Sequence, residues 1–143
     1  MTPLEGAVDA ALHATGQCLI VDGHSFPSDP LPCDLNQDRP RPEICIGTDP
    51  FHTPSQLATE AAKRFAERGL DVAINRPYEG ALVPARWYRR DHRVAAVMIE
   101  INRRLYMDEA TGEKIASFAE TAALVQSVLT ALIDVHECSQ RCG

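Results

Sequence analysis

Residues 94–99, Val-Ala-Ala-Val-Met-Ile, are apolar without a break and end at Glu100. No other segment constrains the fold as much. A strand with one wet face alternates apolar and polar side chains, whereas an unbroken run suits a strand covered on both faces, as in parallel sheets. A second run, Cys18-Leu19-Ile20-Val21, leads into Asp22-Gly23-His24-Ser25. It reads as another buried strand followed by a polar loop. Residues 43–47 and 71–75 predict two shorter strands.

Helical signals fall between these runs. Residues 3–15 place Leu4, Val8, Ala11 and Leu12 on one face ahead of a Gly16 stop. Thr53-Pro54-Ser55-Gln56 predicts a helix start with an N-cap Thr, Pro at the first helical position and Gln closing a capping box. Leu57, Ala61 and Phe65 then recur every four residues, and Gly69 supplies the stop. A last helix is expected from a second capping box, Ser117-Phe118-Ala119-Glu120, to about His136. Phe118, Val125, Leu129 and Leu132 mark its apolar stripe, widened by Leu124, Val128 and Ile133. Residues 26–42 hold five prolines and predict a long irregular loop, a kind of segment that is often functional. Strands alternating with helices give the fold class: α/β, a mostly parallel sheet flanked by helices, as a single domain over residues 1–143.

Composition narrows the function classes. The hydrophobic and charged fractions, 45% and 24%, are those of a folded globular chain, not a disordered one. No run is expected to span a membrane, and the N-terminal residues lack the pattern of a signal peptide, so a cytoplasmic location is expected. A net charge of −6 argues against general nucleic-acid binding. Locally the balance differs: six of the twelve arginines lie between Arg86 and Arg104. They read equally as a solvated face or as a pocket for carboxylates, which the guanidinium fork binds bidentately. Cys18 and Cys45 sit in apolar runs and read as small buried hydrophobes. Cys138 and Cys142 form a C-x3-C with no second pair to make a zinc site and read as free thiols.

Candidate chemistry sits where apolar strands deliver ionisable residues. Ligands of open α/β sheets bind outside the carboxyl ends of the strands. Asp22 and His24 leave one strand there, and Glu100 with Arg103 leaves another; parallel strands would align all four. His24 reads as a metal ligand or as a hydrogen-bonded loop histidine, and Asp22, two residues earlier, can co-ligate or orient its ring. Glu100 reads as a proton-transfer group with a pKa raised by desolvation, or as the partner of Arg103 or Arg104 in an ion pair. Asn75, Arg76 and Tyr78, at the end of the third strand, read either as contacts to the same ligand or simply as a turn. His52 reads as structural, and His13, His92 and His136 as surface residues.

Longer words along the chain carry a resemblance. V-D-G-H-S-F-P-S, P-L-P-C-D-L, R-P-E-I-C-I-G-T-D-P-F-H-T-P, N-R-P-Y-E-G-A-L-V-P and V-M-I-E-I-N-R-R-L-Y-M-D-E follow one another between about Leu19 and Thr111. In this order they resemble segments of the N-formylglutamate amidohydrolases, and the chain looks like the C-terminal part of such an enzyme. The final helix, residues 117–136, carries no distinctive motif.

The resemblance implies a fold like that of the zinc carboxypeptidases (phosphorylase/hydrolase-like), truncated at its N-terminus. It also implies hydrolysis of N-formyl-L-glutamate to L-glutamate and formate, a step of histidine degradation. His24 matches the family's later metal-binding histidine and Glu100 its catalytic carboxylate. The implied cofactor is a divalent metal, zinc or cobalt, whose bound water Glu100 would deprotonate. The charge pattern adds Arg103, and less directly Arg76 and Arg41, as holders of the substrate carboxylates. The expected partner is a small N-formyl amino acid, with no nucleic acid and no membrane, in a homo-oligomer or beside a complementing N-terminal half. The alternative is a non-catalytic remnant, a dimerising or carboxylate-binding module.

Overall fold

A computed structural model describes residues 1–141. Cys142 lies outside the described residues, while Cys138 is exposed and free. Three helices and four strands follow in the order α1 (Pro3–Thr15), β1 (Cys18–Phe26), β2 (Ile44–Gly47), α2 (Ser55–Ala66), β3 (Val72–Ile74), β4 (Val94–Asn102) and α3 (Phe118–Arg141). A short 3-10 turn, Arg103–Leu105, follows β4.

The sheet order is β1-β4-β2-β3. β1 runs parallel to β4, and β2 parallel to β3, but β2 meets β4 antiparallel. The sheet is therefore mixed, not mostly parallel: two parallel pairs joined back to back. The expectation failed because residues 27–43, the proline-rich connection, return the chain beside β4 in the opposite direction. An apolar run reports burial on both faces and carries no information on direction.

Both long strands outlast their apolar runs. β1 continues through Asp22 and His24 to Phe26, and β4 through Glu100 to Asn102. The ionisable residues expected in loops thus stand on strands, with their directions set by the pleat. Ile44, Ile46, Ala95, Val97 and Ile99 face α2 and α3, where Leu57, Ala61, Phe65, Val128 and Leu132 complete the main core. On the other face Cys18, Ile20, Val94 and Ala96 pack with Val8 of α1 and with Val83 and Trp87 of the loop before β4.

The helix ends show which local signals acted. α1 starts with a capping box between Thr2 and Glu5 and stops at Gly16, whose φ of 78° is the left-handed conformation glycine adopts freely. At α2 the N-cap is Pro54, with no side-chain cap. Thr53 Oγ1 instead donates to the Ala96 carbonyl, 2.6 Å away, and ties the helix start to β4. At α3 the Ser117 hydroxyl likewise goes to the Leu105 carbonyl at 2.9 Å. At α2 a tertiary partner thus replaced the expected capping box. Phe118–Ser139 of α3 has the length and mean hydropathy, 1.4, of a membrane span, a test that core helices also pass. Its buried stripe, Val128, Ala131 and Leu132, enters the protein core. His136 on the same helix is buried, contrary to its reading as a surface residue, and burial lowers its pKa.

Candidate active site

The pairing registers build the site. His24 lies opposite Glu100 across β1 and β4, and Cys45 lies opposite Glu100 across β2 and β4. Opposed residues share a face, so His24, Glu100 and Cys45 form one row across three strands, with Asp22, Met98 and Gly47 in the row below. This is the face that carries α1.

Glu100 is 8% exposed, and its Oε2 is buried without a hydrogen-bond partner. Burial pushes its carboxyl pKa above the ordinary value; Asp22 pushes the same way, while His24 and Arg103 pull it down. The commoner fate of a lone glutamate, a salt bridge to Arg103 or Arg104, is not what the fold makes. Arg104 reaches Glu43 at 3.6 Å, and Arg103 Nε donates to Ser25 Oγ at 3.3 Å. A buried acid whose pKa is raised by its surroundings, with an open oxygen, is equipped to move protons.

His24 Nε2 stands 2.7 Å from Asp22 Oδ1. Two residues apart on one pleated face, the pair meets as the spacing suggests, and the carboxylate fixes the ring with Nε2 as the donor. The His24 side chain remains 52% exposed, at the outer edge of the sheet.

The other sequence candidates are distributed differently. Arg41 is almost wholly buried between the rings of Phe26 and Tyr78, at 5.9 and 5.6 Å. Its guanidinium donates to Asp34 at 2.7 Å and to the Tyr78 hydroxyl at 3.1 Å. Arg41 thereby anchors the proline-rich loop to the site wall, and Tyr78 belongs to the same anchor. Asn75 (φ 55°) closes a turn on Thr48, accepting from its backbone N–H at 2.8 Å and donating to its hydroxyl at 2.7 Å. It lies beyond the carboxyl ends of β2 and β3, away from those of β1 and β4. Arg76 is exposed, and its charge reaches Cys45.

Several contributors were invisible in the sequence. Cys45 is fully buried beside Glu100, and its thiol donates to the Tyr78 carbonyl at 3.2 Å. Burial raises its pKa. Gly47 lets the 76–91 loop close over the sheet, because a Cβ there would overlap the Gly80 carbonyl and Met98. Asn102, fully buried, donates to the Pro42 carbonyl at 3.0 Å and accepts from Ser28 Oγ at 2.9 Å, stapling the proline-rich loop to β4. His52 is structural as expected: Nδ1 bonds the Val94 carbonyl at 2.7 Å, and Nε2 accepts the Arg89 N–H at 2.8 Å.

A metal is a separate question. A catalytic zinc takes three protein ligands. Among the described residues no group of three or more His, Cys, Asp or Glu side chains is placed to hold an ion. Asp22 and His24 supply two candidates, so the residues of one chain do not by themselves fit the expected cofactor.

Taken together, the fold and the site define a mixed α/β protein whose parallel strand pair carries a buried acid beside an Asp–His pair. The sequence profile of the N-formylglutamate amidohydrolases matches residues 2–107, and the chain belongs to that family. It is similar to the crystal structure of N-formylglutamate amidohydrolase from Ralstonia eutropha JMP134, with 26% identity and a TM-score of 0.73. That match covers 98% of this chain and 51% of the other. A gene product of Agrobacterium tumefaciens shares the fold at 23% identity and a TM-score of 0.59, over 94% of this chain and 51% of its own. The chain thus spans about half the length of these relatives. No curated protein matches it in sequence.

Proposed function

We propose that this chain carries the proton-transfer half of a site that hydrolyses N-formyl-L-glutamate to formate and L-glutamate. The observation that carries the reading is Glu100: buried, unpaired at Oε2, raised in pKa and in register with His24. Membership of the family supports this choice of substrate.

In this reading Glu100 removes a proton from the attacking water as its oxygen bonds to the formyl carbon. The same carboxyl then delivers that proton to the departing amine as the C–N bond breaks. Water and the formyl amide are consumed, and formate and the free amine are produced. Asp22 holds the His24 imidazole in one orientation at the site's open side. Arg103 donates one N–H to Ser25, which leaves the rest of its fork for a substrate carboxylate. Arg41 is committed to Asp34 and shapes the wall. Arg76 is the weaker second candidate for a carboxylate.

A divalent metal would polarise the formyl oxygen and acidify water, and it would need ligands beyond Asp22 and His24. The same shortage favours a second reading, in which the chain is a non-catalytic module that keeps the carboxylate-binding groups. Formate release from N-formylglutamate by the folded chain, with zinc or cobalt and again after chelation, separates the two. Turnover that falls at least about a hundredfold in Glu100→Gln supports the first reading. Absence of turnover, with retained binding of glutamate, sinks it in favour of the second.

A further inference from the structure

The main core opens to solvent on the face of the sheet opposite Glu100. The opening lies between the end of α2, the Arg103–Leu105 turn and the first turns of α3, and its volume is about 270 Å³. Ile44 and Phe65, both fully buried, form its floor, and Leu70, Leu105, Leu124 and Val125 its walls. Protein interiors pack as densely as organic crystals, so a gap of this size among core side chains is unusual. An apolar cavity of about 150 Å³ already takes a benzene ring.

The polar groups around the cavity divide in two. Ser117 Oγ and Thr121 Oγ1 both donate to the Leu105 carbonyl, at 2.9 and 3.0 Å. They pin the turn to α3 and have no proton left to offer a ligand. The two guanidiniums at the rim are uncommitted. Arg68 has no side-chain partner among the described residues. Arg104 stands 3.6 Å from Glu43, beyond hydrogen-bond distance, and Glu43 spends its other oxygen on the Asp71 N–H at 2.9 Å. Among the described residues Glu120 is the one acid that lines the cavity. It sits in the first turn of α3, where the positive end of the helix meets its charge. An apolar floor under a cationic rim is complementary to an amphipathic anion.

We propose that this cavity binds a small monocarboxylate with an apolar tail, of the medium-chain fatty acid class. The tail displaces water from Ile44, Phe65 and Leu124, and the carboxylate meets Arg68 and Arg104 at the rim. Burial of the tail supplies affinity, and the arginines select the charged head. A dicarboxylate such as N-formylglutamate is a poor fit, because its second charge would be desolvated against the floor without a partner. The site is separate from Glu100 and His24, so the inference stands whether or not the chain hydrolyses formylglutamate.

Amide NMR of the full chain, titrated with sodium octanoate below its micelle-forming concentration, tests this. Saturable shifts are expected at Leu70, Leu105, Thr121 and Val125, with Gly23, His24 and Glu100 unmoved. Octanamide, with the same tail and no charge, should bind at least about tenfold more weakly, as should acetate, with the same head and no tail. Arg68→Gln combined with Arg104→Gln, both at exposed positions, should keep the dispersed spectrum of a folded chain and lose the preference for octanoate over octanamide. Absence of any saturable shift overturns the proposal, as does a double variant that keeps the preference. Shifts centred on Ala122 and Leu129, in the neighbouring groove of α3, overturn it too.

Discussion

The two faces of the sheet solve different problems with the same strands. On the face covered by α2 and α3, Ile44, Ile46, Ala95, Val97 and Ile99 meet apolar side chains of both helices. On the opposite face the strands begin apolar, with Cys18, Ile20, Val94 and Ala96, and turn polar at Asp22, His24, Glu100 and Asn102. The first face holds the fold together through area removed from water. The second covers its polar end with the 27–43 and 76–91 loops, each fixed to the sheet by hydrogen bonds. A fold can afford a desolvated, unpaired acid on one face when the other supplies the stability.

The comparison breaks first at Leu132, fully buried against the sheet. Leu132→Ala should cost about 3–5 kcal/mol, the lost transfer energy plus a cavity, measured by urea unfolding. A cost below about 1 kcal/mol would mean that the helical face is not the principal core. Asn102→Ala should cost less, about 2–3 kcal/mol, by leaving the Pro42 carbonyl and the Ser28 hydroxyl without a partner. Its signature in hydrogen exchange should be faster opening of residues 27–43, with α2 and α3 unaffected. Uniform loosening would show that the loops and core open as one unit.

The smallest change is expected from Glu100→Gln, and its sign depends on pH. Because the folded state raises the Glu100 pKa above 4.5, it holds the proton more tightly than the unfolded chain does. Stability from this group is present below its ordinary pKa and is lost as pH rises through the raised folded value. Glu100→Gln, which never ionises, should therefore be the more stable protein at pH 8, with the difference shrinking as pH falls towards 4. Thermal unfolding of both proteins across that range checks it. A wild type that gains relative stability with rising pH would show that Glu100 finds a cationic partner.

Much of this organisation was legible in local pattern. The apolar runs located β1 and β4, the helical periodicity located α1 and α2, and Asp22 and His24, two residues apart, met as a strand would bring them. Glu100 stood out as the first charge after six apolar residues. Other features were illegible because they depend on partners remote in sequence. Thr53 and Ser117 carry capping signatures, yet their hydroxyls serve the Ala96 and Leu105 carbonyls. Arg41 looked like a free cation until Asp34, Phe26 and Tyr78 closed around it. His136 looked polar and exposed, but it faces inward on α3.

By itself the sequence determined which segments are strands and helices, where the acid and the Asp–His pair lie, and through its successive motifs the family. These follow from side-chain periodicity and short-range spacing, which act within a few residues. Only the tertiary structure decided that the sheet is mixed, that Cys45 stands opposite Glu100, and that β1 is left as an open edge. Strand direction and register are set by how distant segments pack and by where the intervening loops let the chain return. No single segment carries that information.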